Sequence, residues 1–226
     1  MSPRRPGAGT NAAATGAAGL ATDEAVEHLR GADDTMRAII DARGPLDQEA
    51  RQRGRPEDPY GALLRSIVGQ QLSTKAARSI YGRLVDMFGG RTPTPQELLD
   101  ADPELVRSVG LSNAKVRYVR SLAEHVLSGE LDLERLPELG DEEVMREVTA
   151  VKGLGQWTAH MFLIFHLGRP DVLPVGDLGV RRAVERAYGL EELPSVEELE
   201  RLGERWAPHR SLAALYLWES LDNAPA

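Results

Sequence analysis

The chain contains no cysteine at all. Disulfides, a thiolate nucleophile, cysteine-ligated zinc and a cysteine-held iron–sulfur cluster are thereby excluded. Aromatic residues make up only 5% of the chain, and the three tryptophans, Trp157, Trp206 and Trp218, each need a reason. No apolar run approaches the ~20 residues needed to cross a bilayer. No charged-then-apolar leader with a cleavage site is visible, so the expectation is a soluble, cytoplasmic protein with no membrane partner. Positive charge is short as well: the formal net charge is −8, and Arg4 and Arg5 sit in a tail, so the rest is more acidic still. Such a sum argues against a polyanionic partner, but its distribution is more informative than its size.

Acids cluster in GELDLERLPELGDEEVMREV and ERAYGLEELPSVEELERLGE. Between Val148 and Arg169 there are none, only Lys152 and Arg169. From Leu105 to Ala123 the charges are Arg107, Lys115, Arg117 and Arg120, again without an acid. Most of these charges read as solvated helix faces. The two windows are nevertheless where a polyanion could approach.

A length of 226 residues allows one large domain or two small ones. The first 21 residues, rich in Ala, Gly, Pro and Thr without periodicity, read as a disordered tail, with a domain over 22–226. The punctuation that follows is all-helical. Asp58-Pro59, Thr94-Pro95 and Asp102-Pro103 each pair an N-cap with proline in the first turn. Ser73 and Ser112 are further caps, Gly129 is a stop, and Ser195 with Glu198 forms a capping box for a helix ending near Trp206. Ala207-Pro208 opens the last helix, and residues from about 22 to 45 form an N-terminal helical pair. Alternating strand patterns and repeats of fixed period are absent. The expectation is an all-α chain of about ten or more helices.

One stretch resists this pattern. In TAVKGLGQWTAHMFLIF, Gly153 and Gly155 interrupt an apolar helical run, where glycine costs ~0.5–1 kcal/mol relative to alanine. KGLG is a very short connection between a helix carrying Val144, Val148 and Val151 and one carrying Trp157, Met161, Leu163, Ile164 and Phe165. Gly153 is placed for positive φ, and Gly155 for close approach of a backbone to something large. The first amides of the second helix lack intrahelical partners and sit at its positive end, which suits a phosphate. A plain glycine turn between packed helices accounts for the spacing equally well. Gly-x-Gly without a third glycine and a preceding strand is no dinucleotide fingerprint.

TAVKGLGQWTAHMFLIF resembles the helix–hairpin–helix of the HhH-GPD base-excision DNA glycosylases, with Lys152 where the family usually has proline. LPVGDLGVRRAV resembles the family's Gly/Pro-rich loop ending in a catalytic aspartate. With LLRSIVGQQLSTKAA, VGLSNAKVRYVRSLA and ERWAPHRSLAALYLW, the resemblance spans about 58–221 and is nearest to the DNA-3-methyladenine glycosylase II (alkylbase) branch. It implies two helical subdomains with the active site in the cleft between them, and a monomer acting on double-stranded DNA that contains damaged bases.

Carried over residue by residue, the resemblance makes Asp177 the catalytic carboxylate, although an aspartate there also reads as the cap of the next helix. Asp171 ranks below it. A lysine nucleophile, found after the second glycine in relatives that also cut the strand, is replaced by Trp157, which implies a monofunctional enzyme that uses water. Trp157 and Trp218 match base-pocket positions, with core packing as the rival reading for both, and Trp206 reads as structural. Lys152, Gly153, Gly155 and Thr158 fall in the DNA-binding hairpin. Gln70, Gln71 and Leu72 fall in the loop that fills the gap left by a flipped nucleotide. An amide stands at 71 where alkylbase relatives can place an apolar wedge, a role Leu72 could share. The resemblance also implies that the backbone carbonyls of Thr149, Val151 and Leu154 hold a monovalent cation, Na or K, and that no cofactor and no iron–sulfur cluster is required. His28, His125, His160, His166 and His209 form no metal motif and read as helix-face residues. Three alternatives stand beside this reading: a glycosylase for deaminated or other damaged bases, a binding module of the same fold without catalysis, and a non-enzymatic helical interaction protein.

Overall fold

A computed structural model describes residues 19–47, 55–56 and 58–221. Among them are twelve α-helices and no strand. The N-terminal pair is α1 (Asp23–Ala32) and α2 (Asp34–Arg43). The middle of the chain supplies α3 (Pro59–Gly69), α4 (Thr74–Met87), α5 (Pro95–Asp100), α6 (Pro103–Ser108), α7 (Asn113–Ser128), α8 (Asp141–Ala150) and α9 (Gln156–Phe165). Three more follow: α10 (Leu178–Tyr188), α11 (Val196–Gly203) and α12 (Arg210–Ser220).

Local chemistry sets most of these boundaries. Side-chain oxygens of Asp58, Ser73, Thr94, Asp102, Ser112, Ser195 and Asp177 each accept a hydrogen bond from a first-turn amide of the helix they precede. Such a cap contributes ~1 kcal/mol. Thr94 with Glu97 and Ser195 with Glu198 complete reciprocal capping boxes. Gly129 and Gly189 end α7 and α10 in the left-handed conformation, at φ 77° and 64°. The helix expected to run to Trp206 instead breaks at Gly203 and tightens into a 3₁₀ turn, Glu204–Trp206. A Cβ on Gly203 would lie 2.4 Å from Leu173 Cδ2, so any larger residue there would push that side chain aside where α11 passes it.

Packing divides the helices into two groups. The ends of the chain meet: α1 and α2 pack on α12, and α10 packs on α2 and α12. The middle forms the second group, with α3 against α4, α7 and α9, α5 and α6 against α7, and α8 against α9. The two buried helices α9 and α12 carry apolar residues nearly all round, which marks a core helix rather than a surface one. Leu20 is buried in the core, so packing begins inside the segment expected to be tail, whose residues 1–18 lie outside the described ones. None of the helices described is long and apolar enough to cross a membrane.

Candidate active site

Asp177 lies between the two helix groups. It is the N-cap of α10, and its Oδ1 accepts from the Val180 amide at 2.8 Å. The same oxygen accepts from the Trp218 indole of α12 at 2.8 Å, and Oδ2 accepts from the Trp157 indole of α9 at 2.6 Å. Three N–H groups therefore hold one nearly buried carboxylate (9% exposed), and the Trp157 bond bridges the groups. Hydrogen bonds to an ionised acceptor are short and about twice as strong as neutral ones. The arrangement fixes a negative charge in place and orients it before any ligand arrives.

The two indoles differ in their surroundings. Trp157 is 43% exposed, in the first turn of α9. Trp218 is enclosed, with 1% exposure, and stacks on Phe165 at 5.8 Å between ring centres. The guanidinium of Arg55 lies 3.9 Å over the other partner of that stack, Phe165. Core packing and contact with Asp177 thus coexist in Trp218. Gly179 makes this possible: a Cβ there would come within 3.0 Å of Asp177 Oδ1 and 3.1 Å of the Trp218 ring. Nothing but its position within VGDLGV marks Gly179 in the sequence.

Trp206 and Asp171 are both engaged in contacts within the fold. Trp206 is fully buried and, with Tyr188, donates to Asp33, the N-cap of α2. Burial pushes the Asp171 carboxyl up, but two guanidinium bonds from Arg210 at 2.7 and 2.9 Å, with the Arg210 amide, outweigh it and hold the group below its ordinary range. Asp171 is thereby neutralised and ties down the start of α12.

The two glycines of the hairpin answer to different demands. Gly153 has φ 96°, and a Cβ would lie 2.3 Å from Cγ of Tyr118 on α7. The fold itself requires glycine there, with Tyr118 as the floor of the turn. Gly155 has φ −105° and ψ 177°, open to any residue, and nothing lies within 4 Å of a Cβ there. Among the described residues nothing occupies the space beside Gly155, so its only local demand for glycine is the N-cap position. α9 follows directly, with Gly155 as an N-cap that supplies no side-chain bond, and Gln156 and Trp157 exposed. In contrast, α12, whose cap likewise supplies no side-chain bond, has its first amides taken by Asp171 and the Pro170 carbonyl. The first amides of α9 thus have no side-chain cap, and they lie at the positive end of the helix beside exposed Lys152. Thr158 is 2% exposed, so its side chain faces the core and only its amide belongs to this surface.

The loop after α3 is tied to the hairpin. The Gln70 side-chain Nε2 donates to the Gly153 carbonyl at 2.7 Å. Gln71 forms the tip, at φ 58° despite its side chain, and Leu72 beside it is 38% exposed. Of the three carbonyls expected around a cation, Val151's accepts the Leu154 amide at 3.0 Å, while those of Thr149 and Leu154 accept nothing from the described residues. Burial pushes His160 and His166 below the usual histidine value, as suits neutral core-facing rings, and His166 stacks on Phe162.

The description of the HhH-GPD superfamily of base excision DNA repair proteins fits residues 64–209, which include the hairpin and Asp177. The chain belongs to this family. It is 34% identical over 195 residues to DNA-3-methyladenine glycosylase 1 of Schizosaccharomyces pombe, covering 85% of each chain. The solved structure of the 3-methyladenine DNA glycosylase Mag1 of that yeast, in complex with abasic DNA, matches with a TM-score of 0.79 at 35% identity, covering 87% of this chain and 95% of that one. A DNA-3-methyladenine glycosidase of Bacillus halodurans matches with a TM-score of 0.75 at 39% identity, covering 87% and 88%. The HhH-GPD helices are here α8 and α9, and the hairpin is KGLG.

Proposed function

We propose that this HhH-GPD protein is a monofunctional DNA glycosylase that releases alkylated, 3-methyladenine-type bases from duplex DNA by hydrolysis. The observation that carries the reading is the buried Asp177 carboxylate held by two indoles, one of which, Trp157, stands where a strand-cutting relative would need lysine. In the reaction the bond between the base and C1′ breaks and its electron pair leaves with the base. Positive charge grows on the sugar. A carboxylate about 4 Å away stabilises that charge by ~4 kcal/mol at an effective dielectric near 20. Water then forms the new bond to C1′, oriented by Asp177, and its proton passes to the carboxylate or on to solvent.

A methylated purine is cationic, so it departs as a neutral base and needs no strong general acid. The exposed Trp157 indole attracts such a cation by ~0.5–2 kcal/mol. Flipping the nucleotide is supported from the two flanking surfaces: α9's first amides and Lys152 hold phosphate, and Gln71 with Leu72 fills the gap. The Thr149 carbonyl, in the last turn of α8, and the Leu154 carbonyl, in the hairpin, accept nothing from the described residues and are uncharged, which would suit a monovalent cation more than a divalent one. Such an ion would bridge the hairpin to phosphate.

A substrate panel tests the assignment. Single-turnover release is measured from one duplex sequence carrying 3-methyladenine, 7-methylguanine, hypoxanthine or 8-oxoguanine in turn. The two cationic bases should leave fastest. Preference for hypoxanthine or 8-oxoguanine over both would remove the alkylbase assignment.

A further inference from the structure

Lys115 lies in an acid-free stretch of α7 and is not explained by contact with DNA, because its ammonium is turned inward. Nζ donates to the Val68 carbonyl and to the Gln70 carbonyl, both at 2.7 Å. These are carbonyls at the end of α3, where a cation also meets the negative end of the helix. Burial pushes the ammonium below the ordinary lysine value, because water is withdrawn from the charge. Gln70, whose main chain Lys115 holds, in turn donates its side-chain amide to the Gly153 carbonyl at 2.7 Å. One turn along α7 from Lys115, the Tyr118 ring lies directly under Gly153.

We propose that Lys115 and the Gln70 amide are positioning residues that lock the gap-filling loop to the phosphate-binding hairpin, so that gripping the backbone and inserting Gln71 occur as one event. The proposal rests on the DNA-glycosylase reading for the identity of the ligand. It goes beyond that reading in assigning α7 as the shared base of two loops, 83 residues apart in sequence, that grip one DNA. Both contacts are main-chain on the receiving side, so they set the position of the backbone whatever side chain stands at 71. The left-handed backbone of Gln71 is strained for a side-chain-bearing residue and persists only where neighbours over-determine it. The tie supplies that constraint on its N-terminal side.

The test uses a fluorescein-labelled duplex with a tetrahydrofuran abasic analogue and 2-aminopurine opposite it, bound by the full chain. Anisotropy reads the grip, and 2-aminopurine emission reads insertion. For the wild type the two signals should titrate together. In Gln70→Met and in Lys115→Met, emission change at saturating protein should fall to about half or less, and the double variant should lose no more than the larger single, as expected of one coupled unit. Lys115→Arg should retain the signal. Full emission change at saturation in both single variants, or strictly additive losses, would overturn the proposal. A purely structural role would lower the thermal midpoint and leave the saturated signal intact. Should Lys115→Met fail to fold, Gln70→Met alone decides. Because this duplex requires no base release, coupled signals without any release of alkylated bases would sink the enzymatic reading and keep the tie. Active release with unaltered coupling in the variants would do the reverse.

Discussion

Replacing Asp177 by asparagine separates the charge of this residue from its shape. Asparagine caps a helix as well as aspartate does, so the bond from Val180 survives. The amide oxygen must then face Val180 and the enclosed Trp218 indole, because both of those donors are buried. That places the side-chain NH₂ opposite the Trp157 indole, donor against donor, where a 2.6 Å bond stood. Trp157 is 43% exposed and can turn its N–H to water, so the stability cost is only ~1 kcal/mol. For a chain of this size that lowers the thermal midpoint by ~2–4 °C. The rate suffers far more. Loss of the charge near the sugar removes ~3–4 kcal/mol of transition-state stabilisation, or about 10²–10³ in single-turnover base release. Quench-flow release of 3-methyladenine and a thermal melt on the same preparation measure both quantities. A rate within about threefold of wild type would refute the electrostatic role. A melt that collapsed by tens of degrees would show instead that Asp177 is chiefly a structural cap.

The two hairpin glycines should fail in opposite ways. Gly153→Ala combines left-handed strain with a collision against Tyr118, and should cost ~2–4 kcal/mol in denaturant unfolding. Gly155→Ala meets no described atom and fits its backbone angles, so its cost should stay at the ~1 kcal/mol of replacing an N-cap glycine while affinity for abasic duplex falls. Unchanged affinity would mean the open space at 155 is not where DNA approaches. Gly179→Ala should displace the Trp218 indole from Asp177, slow base release and shift tryptophan emission; a silent substitution would deny the close packing there. For Asp171 the folded carboxyl is held below its ordinary value of 3.8, so its contribution is full above that pH and is lost as pH falls through the lower folded value. Arg210→Met should therefore lower stability at neutral pH and converge with wild type in strong acid. The difference should stay small, since both side chains are about a third exposed.

Much of the fold was legible because its boundaries are written locally. Asp58, Thr94, Asp102, Ser112 and Ser195 each declare a helix start within three residues, and each is a cap in the structure. Membership of the HhH-GPD family was legible in the order of motifs around Gly153 and Asp177. What escaped depends on neighbours distant in sequence. The indole bonds to Asp177 join residues 20 and 41 positions apart. Gln70 reads as one more residue of the gap-filling loop until Gly153 arrives beside it, and Lys115 reads as a surface cation until α3 ends against it. Gly153 and Gly155 look equivalent in sequence; only the position of Tyr118 tells them apart. Thr158 falls in the DNA-facing motif yet points inward, because helical periodicity turns it toward the core.

Base release from methylated duplex DNA by the unaltered chain, with borohydride present in a parallel reaction, tests the proposed chemistry most directly. Free 3-methyladenine should appear, the strand should remain intact until alkali is added, and no protein–DNA adduct should be trapped. Absence of free base, or a trapped covalent adduct, would contradict hydrolysis by water under the charge of Asp177.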